Sequence, residues 1–218
     1  MKKIVFLFIA VVLSWNGLAQ NKLPKVAVAV RSDTVFTILG NISVVNMPYN
    51  LHQNWSKYLN TLSDNSFQFE MVNLPDYYQT DKRSISTQLD KNELAPFINA
   101  LKKKGYAYLV FIYRPELGLP QYKGIEGKSY GFAMSQNQVF SFNSADIYDL
   151  SKKSLVSNIG LRDPEDFILK VSTDAIPELP IRQYSESHMK PAVEFIDNLH
   201  QQFAGRIAHR FKLMLDEK

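Results

Sequence analysis

The sequence predicts a single α/β (α+β) domain: a mixed sheet built β-α-β-α-β, extended by an antiparallel meander and covered by a long C-terminal amphipathic helix. Three observations carry this. Apolar, strand-like runs alternate with stretches of helical period between residues 25 and 115, and such alternation implies crossover connections and a partly parallel sheet. Three extended runs separated by short polar turns follow between 130 and 159, which is the spacing of hairpins. After Ser187, Ala192, Ile196, Leu199, Phe203, Ile207, Phe211 and Met214 recur every three to four residues, giving one apolar stripe on a helix of about 188–215.

Each element has its own reason. KVAVAV (25–30) is β-branched and alanine-rich, and reads as a strand; VFTILGNISVV (35–45) reads as two short extended pieces about a Gly40-Asn41 turn. Asn46-Met47-Pro48 looks like a helix entrance, because proline suits a first turn. Leu51, Trp55, Tyr58, Leu59 and Leu62 then keep helical spacing up to Asp64-Asn65-Ser66. FQFEMVNL (67–74) alternates as a strand does, and the polar stretch 75–89 reads as an exposed loop. Asp90 and Glu93 have capping-box spacing before a helix lined by Leu94, Phe97, Ile98 and Leu101. Lys102 to Lys104 suit the negative end of its dipole, and Gly105 closes it.

YAYLVFIYRP (106–115) is nearly continuous in apolar and aromatic residues, and reads as a central strand covered on both faces, or as one covered by a helix and a long loop. A glycine- and proline-bearing loop (116–129) separates it from the extended runs 130–135, 139–149 and 154–159. In the second run, Ala145 and Ile147 face one way and Asp146 and Tyr148 the other, while Asp149 enters the turn. The two carboxylates therefore diverge and do not form an acid–base pair. Asp163-Pro164 reads as the start of a short helix to about Lys170, and 174–186 as a linker. On the last helix, Glu194 comes early and Arg206, Arg210 and Lys212 late, in the order the helix dipole favours.

The first 19 residues have a separate character. Lys2 and Lys3 precede an unbroken apolar run, Ile4–Leu13, and Gly17 and Ala19 stand at the small positions of a cleavage site. That order is a secretory signal peptide, too short in its apolar part to stay as a membrane span. Cleavage near Ala19-Gln20 leaves 20–218 as the single domain, periplasmic or extracellular. The chain has no cysteine, so neither a disulfide framework nor a lipid-modified cysteine is expected, and no later stretch is apolar enough to span a membrane. Of its 25 basic and 21 acidic residues, two of the basic ones are Lys2 and Lys3. The near-balanced remainder does not have the electrostatic footprint of a nucleic-acid binder.

Few residues announce chemistry. Gly127-Lys128-Ser129-Tyr130-Gly131 matches the G-x-S-x-G nucleophile elbow, which presents a serine on a tight strand-to-helix turn. Here a loop precedes Ser129 and an extended run follows, so a small serine hydrolase using Ser129 is the lesser expectation. His52, His188, His200 and His209 have no zinc-ligand spacing, and no phosphate-binding glycine motif occurs, so neither a metal nor a cofactor is expected. Tyr77, Tyr78 and Tyr122 fall in the long polar loops, where exposed aromatic rings often serve contacts. They are the candidates for contact with a partner, a small ligand or a cell-wall polymer.

The segments KVAVAV, FQFEMVNLP, YLVFIYRP and ADIYDLSKKSLV, taken in order across about 130 residues, resemble the small exported α/β domains of the TolB amino-terminal and CsgG/LpoB kind. The strand–turn–strand ADIYDLSKKSLV matches a motif that recurs in that group. The resemblance implies a non-catalytic interaction module of the bacterial cell envelope, with another envelope protein as its partner. Lipid-anchored members carry a cysteine after the signal, and this chain departs from them there. The shared motifs are structural, so the resemblance assigns no functional residue.

Overall fold

A computed structural model describes residues 23–31, 35–40, 43–48, 51–63, 66–75, 91–115, 129–160, 168–170 and 175–217. The strands are β1 (Lys25–Arg31), β2 (Val35–Leu39), β3 (Val44–Pro48), β4 (Gln68–Met71), β5 (Tyr106–Tyr113), β6 (Tyr130–Ala133), β7 (Gln138–Ser141), β8 (Ser144–Asp149), β9 (Ser154–Ile159) and β10 (Ile168–Lys170). The helices are α1 (Leu51–Leu62), α2 (Lys91–Lys103) and α3 (Glu186–Asp216). This is the mixed α/β architecture with a long C-terminal helix that the sequence predicts. The strands divide, however, into two five-stranded sheets, ordered β4-β1-β5-β8-β9 and β10-β7-β6-β2-β3.

In the first sheet β4, β1 and β5 are parallel, and β8 and β9 continue it antiparallel. The chain steps from β1 outward to β4, then back across β1 to β5. Trp55 and Leu59 of α1 pack with Val26 and Val28 on one face, whereas Ile98 and Leu101 of α2 pack with Ala27, Ala29, Leu109 and Phe111 on the other. Opposite directions on opposite faces give both crossovers the same hand, as the steric rule for parallel connections requires. β5 is thus covered on both faces, which explains its unbroken apolar run. Gly105 ends α2 at φ 85°, with its amide donating to the Lys102 carbonyl at 2.9 Å; a Cβ is disfavoured at that φ.

The second sheet is held together at its centre by the parallel pair β2 and β6, with Thr37 opposite Gly131. A Cβ on Gly131 would lie 1.9 Å from the Thr37 carbonyl oxygen. α3, about 46 Å long at 1.5 Å per residue, joins the two sheets. It packs on β6 and β7, and further along Phe211 meets Phe67, Phe69 and Tyr108 of the first sheet at ring-centroid distances of 5.0, 6.1 and 4.9 Å.

Four local expectations change. The run 139–149 is two strands, because the chain leaves the second sheet at Ser141 and enters the first at Ser144. Asn46 to Pro48 complete β3 rather than open a helix, paired with Val35 to Thr37. Ile168–Lys170 is a strand, not a helix end, since β7 offers it an open edge; residues 161–167 lie outside the described residues. Arg206, Arg210 and Lys212 stop short of the last turn of α3, which has no basic residue; dipole effects fade beyond that turn, so another cause must position them.

Candidate functional site

Three polar groupings stand out, two sealed and one open. The first centres on β8. Asp146 is 1% exposed, and its carboxylate accepts from the Tyr113 hydroxyl at 3.3 Å, the Tyr148 hydroxyl at 3.3 Å and the Asn158 amide at 2.5 Å. The alternation of β8 puts Asp146 and Tyr148 on the α2 face of the sheet, as the sequence predicts. Burial, then the neighbouring carboxylate, pushes the Tyr113 hydroxyl up to about 12, and the same causes raise Tyr148. Both phenols stay protonated donors. Asp149 turns away to the hairpin, where it accepts from the Ser151 and Lys152 amides at 2.9 and 3.1 Å. The carboxylates diverge.

The second grouping was not legible as a site. Where the chain passes between sheets, Ser141 Oγ lies 2.8 Å from His200 Nε2 and accepts from the Asn143 amide at 2.8 Å. A serine hydroxyl within hydrogen-bond reach of an imidazole is the geometry of an activated nucleophile. Here both side chains are buried, with the Trp55 ring stacked on the imidazole at 5.1 Å and the Tyr130 ring edge-on at 5.8 Å. Desolvation lowers the His200 pKa to about 3, so the ring is neutral. No substrate reaches it. The pair holds the polar corner Ser141–Ser144 inside the core, where unbonded polar groups are costly.

Ser129, the elbow candidate, is also 1% exposed and sits at the entrance to β6. Its carbonyl accepts from the Phe142 amide at 2.6 Å. A strand follows it, whereas an elbow needs a helix. The second glycine of the motif, Gly131, is there because β2 comes too close for a side chain. His188, which follows Ser129 in the chain order a triad would need, accepts the Ser185 amide at 3.2 Å at the start of α3. Tyr77, Tyr78 and Tyr122 lie outside the described residues, as do Gly127, Lys128 and Asp163. Among the described residues no three histidine, aspartate or glutamate side chains gather as metal ligands, and no helix is long and apolar enough to cross a membrane.

Two open grooves lie along α3, and a smaller one of about 260 Å³ lies beside Lys102, Tyr106 and Asp149. A groove of about 580 Å³ runs between β3 and the start of α3, floored by Phe36, Met47 and Val193 and rimmed by Asn54 and Lys190. A second, of about 420 Å³, separates β9 from the later part of α3. Its helix wall is Arg206, His209 and Arg210, and its strand wall runs from Ser157 to Gly160. Arg206 donates to the Gly160 carbonyl at 3.3 Å and Arg210 Nε to Ser157 Oγ at 2.9 Å. These bonds, not the helix dipole, orient the two arginines. The residues are visible in the sequence, but that they face a sheet edge follows only from the topology. Compared with family models, curated proteins and solved structures, the chain matches none.

Proposed function

We propose that this protein is an exported, non-catalytic interaction module of the bacterial cell envelope, of the kind its strand order resembles, and that it binds another envelope protein. One observation supports this most: the Asp146 carboxylate, the Ser141–His200 pair and Ser129 are closed to solvent, while the grooves beside α3 and the outer strands stay open. Asp146 and the Ser141–His200 pair are buried, whereas Val44 on β3 and Leu155 on β9 remain 53% and 46% exposed. Large apolar side chains on outer strands suit contact with a partner more than with water. The signal-like residues 1–19 supply the export route.

The test is crosslinking in intact cells followed by affinity capture of the protein from its own envelope fraction. The expected result is one reproducible envelope partner, with capture unchanged by Ser129→Ala and Ser141→Ala. Recovery of the protein in the cytosol, or serine-dependent hydrolysis of ester substrates, would count against the proposal.

A further inference from the structure

We infer that the corner where the chain passes between the two sheets holds an ordered water molecule, bonded to the indole nitrogen of Trp55 and to the side-chain amide of Asn143. The site lies apart from the open grooves and does not rest on the envelope reading.

Trp55 of α1 and Asn143, which lies between β7 and β8, are 0% and 3% exposed. Neither Trp55 Nε1 nor Asn143 Oδ1 has a hydrogen-bond partner among the described residues. A buried polar atom is costly when left unbonded, and native interiors leave few of them so. The two residues share their neighbours. Trp55 stacks on the His200 ring at 5.1 Å. His200 Nε2 lies 2.8 Å from Ser141 Oγ, which accepts from Asn143 Nδ2 at 2.8 Å. α1, α3 and the link between the sheets thus converge on one buried polar spot, where two atoms still lack a bond.

Chemistry identifies the occupant. An indole nitrogen only donates, so the occupant must accept; an amide oxygen only accepts, so it must also donate. With the Asn143 amide turned over, its nitrogen would be the group left over, and the occupant would accept twice. Water serves in both cases. Nothing in the corner favours an ion: Trp55, Ser141 and Asn143 carry no charge, and desolvation keeps His200 neutral. All four side chains are buried, which leaves no opening for a larger molecule. Interior waters that bridge such groups are part of the fold and are costly to remove.

The test pairs a high-resolution crystal structure of the purified protein with proton NMR of its indole groups. The chain has two tryptophans, Trp15 and Trp55, and Trp55→Phe assigns the signal. The expected density is a discrete peak within about 3.2 Å of both Trp55 Nε1 and the Asn143 amide. The Trp55 indole proton is expected to show a nuclear Overhauser effect to water, with the sign of a long-lived interior molecule. Asn143→Leu removes one anchor and should abolish that effect, whereas Asn54→Leu, which loses only a bond to Asp197, should leave it unchanged. Should Asn143→Leu fail to fold, the density and the effect in the parent protein decide alone. The inference is overturned if the corner is dry, if the peak touches only one of the two residues, or if a side chain from elsewhere in the chain bonds either atom. It is also overturned if a folded Asn143→Leu keeps the effect. Neither result bears on export or envelope capture, so the broader reading stands or falls separately.

Discussion

Gly131 is the residue whose role changes most between motif and molecule. In G-x-S-x-G it suggests a catalytic turn; in the fold it lets β2 and β6 approach, with no room for a Cβ beside the Thr37 carbonyl. Gly131→Ala is therefore expected to cost about 3 kcal/mol or more, as overpacking against backbone does, while Ser129→Ala costs far less; urea denaturation of the two variants checks this. Asp146 is a second such residue. Removing it in Asp146→Ala strands two phenols and an amide in the interior, so a loss of about 2–4 kcal/mol is expected. Asp146→Asn, of the same shape, should recover part of it. His200 makes a pH prediction. Its folded pKa lies near 3, below the ordinary 6.5, so its contribution is complete above the unfolded value and lost as pH falls below it. From pH 7 to about pH 5 the protein should lose about 2 kcal/mol through this group. His200→Gln should flatten that slope in denaturation curves taken across the range.

At the scale of elements, α3 does the joining. His200, midway along it, meets Tyr130 of β6 and Ser141 of β7, and Phe211 in a later turn meets the first sheet. Phe211→Ala should cost about 3–5 kcal/mol, the range for buried aromatics, and should shift the melting of both sheets together; Leu213→Ser, on the exposed side of the same turn, should change stability by under about 0.5 kcal/mol. Two separate transitions in the Phe211 variant would show that the sheets fold independently. Element identity was legible wherever the apolar period was long: Leu51 to Leu62, Tyr106 to Tyr113 and the stripe from Ala192 to Met214. It was not legible where tertiary pairing decides. Phe142 and Asn143 turn the chain between sheets without glycine or proline, so 139–149 reads as one strand. The cue was the polar set Ser141, Asn143 and Ser144 inside an apolar run, which needs a buried partner that lies far along the chain in His200. Ile168–Lys170 is a strand because β7 is beside it, and nothing in the local sequence says so.

At the scale of the whole molecule, the Asp146 carboxylate and the Ser141–His200 pair lie inside, and two grooves open beside α3. The buried carboxylate and the serine–histidine pair stabilise a two-sheet body, and the basic groove at β9 and the apolar groove at β3 flank the helix that joins it. The loop before Ser129 with the extended run after it already weighed against an elbow, and the diverging carboxylates were readable from alternation alone. The groove was not, because its walls lie about fifty residues apart in sequence, as in the Arg210–Ser157 contact. The most direct test of an open, partner-binding edge is a photo-crosslinking residue placed at Leu155 of β9 in living cells, with Lys102 at the end of α2 as the control position. The account predicts a crosslink to one envelope protein from Leu155 and none from Lys102. Equal crosslinking from both positions, or none from Leu155, would contradict it.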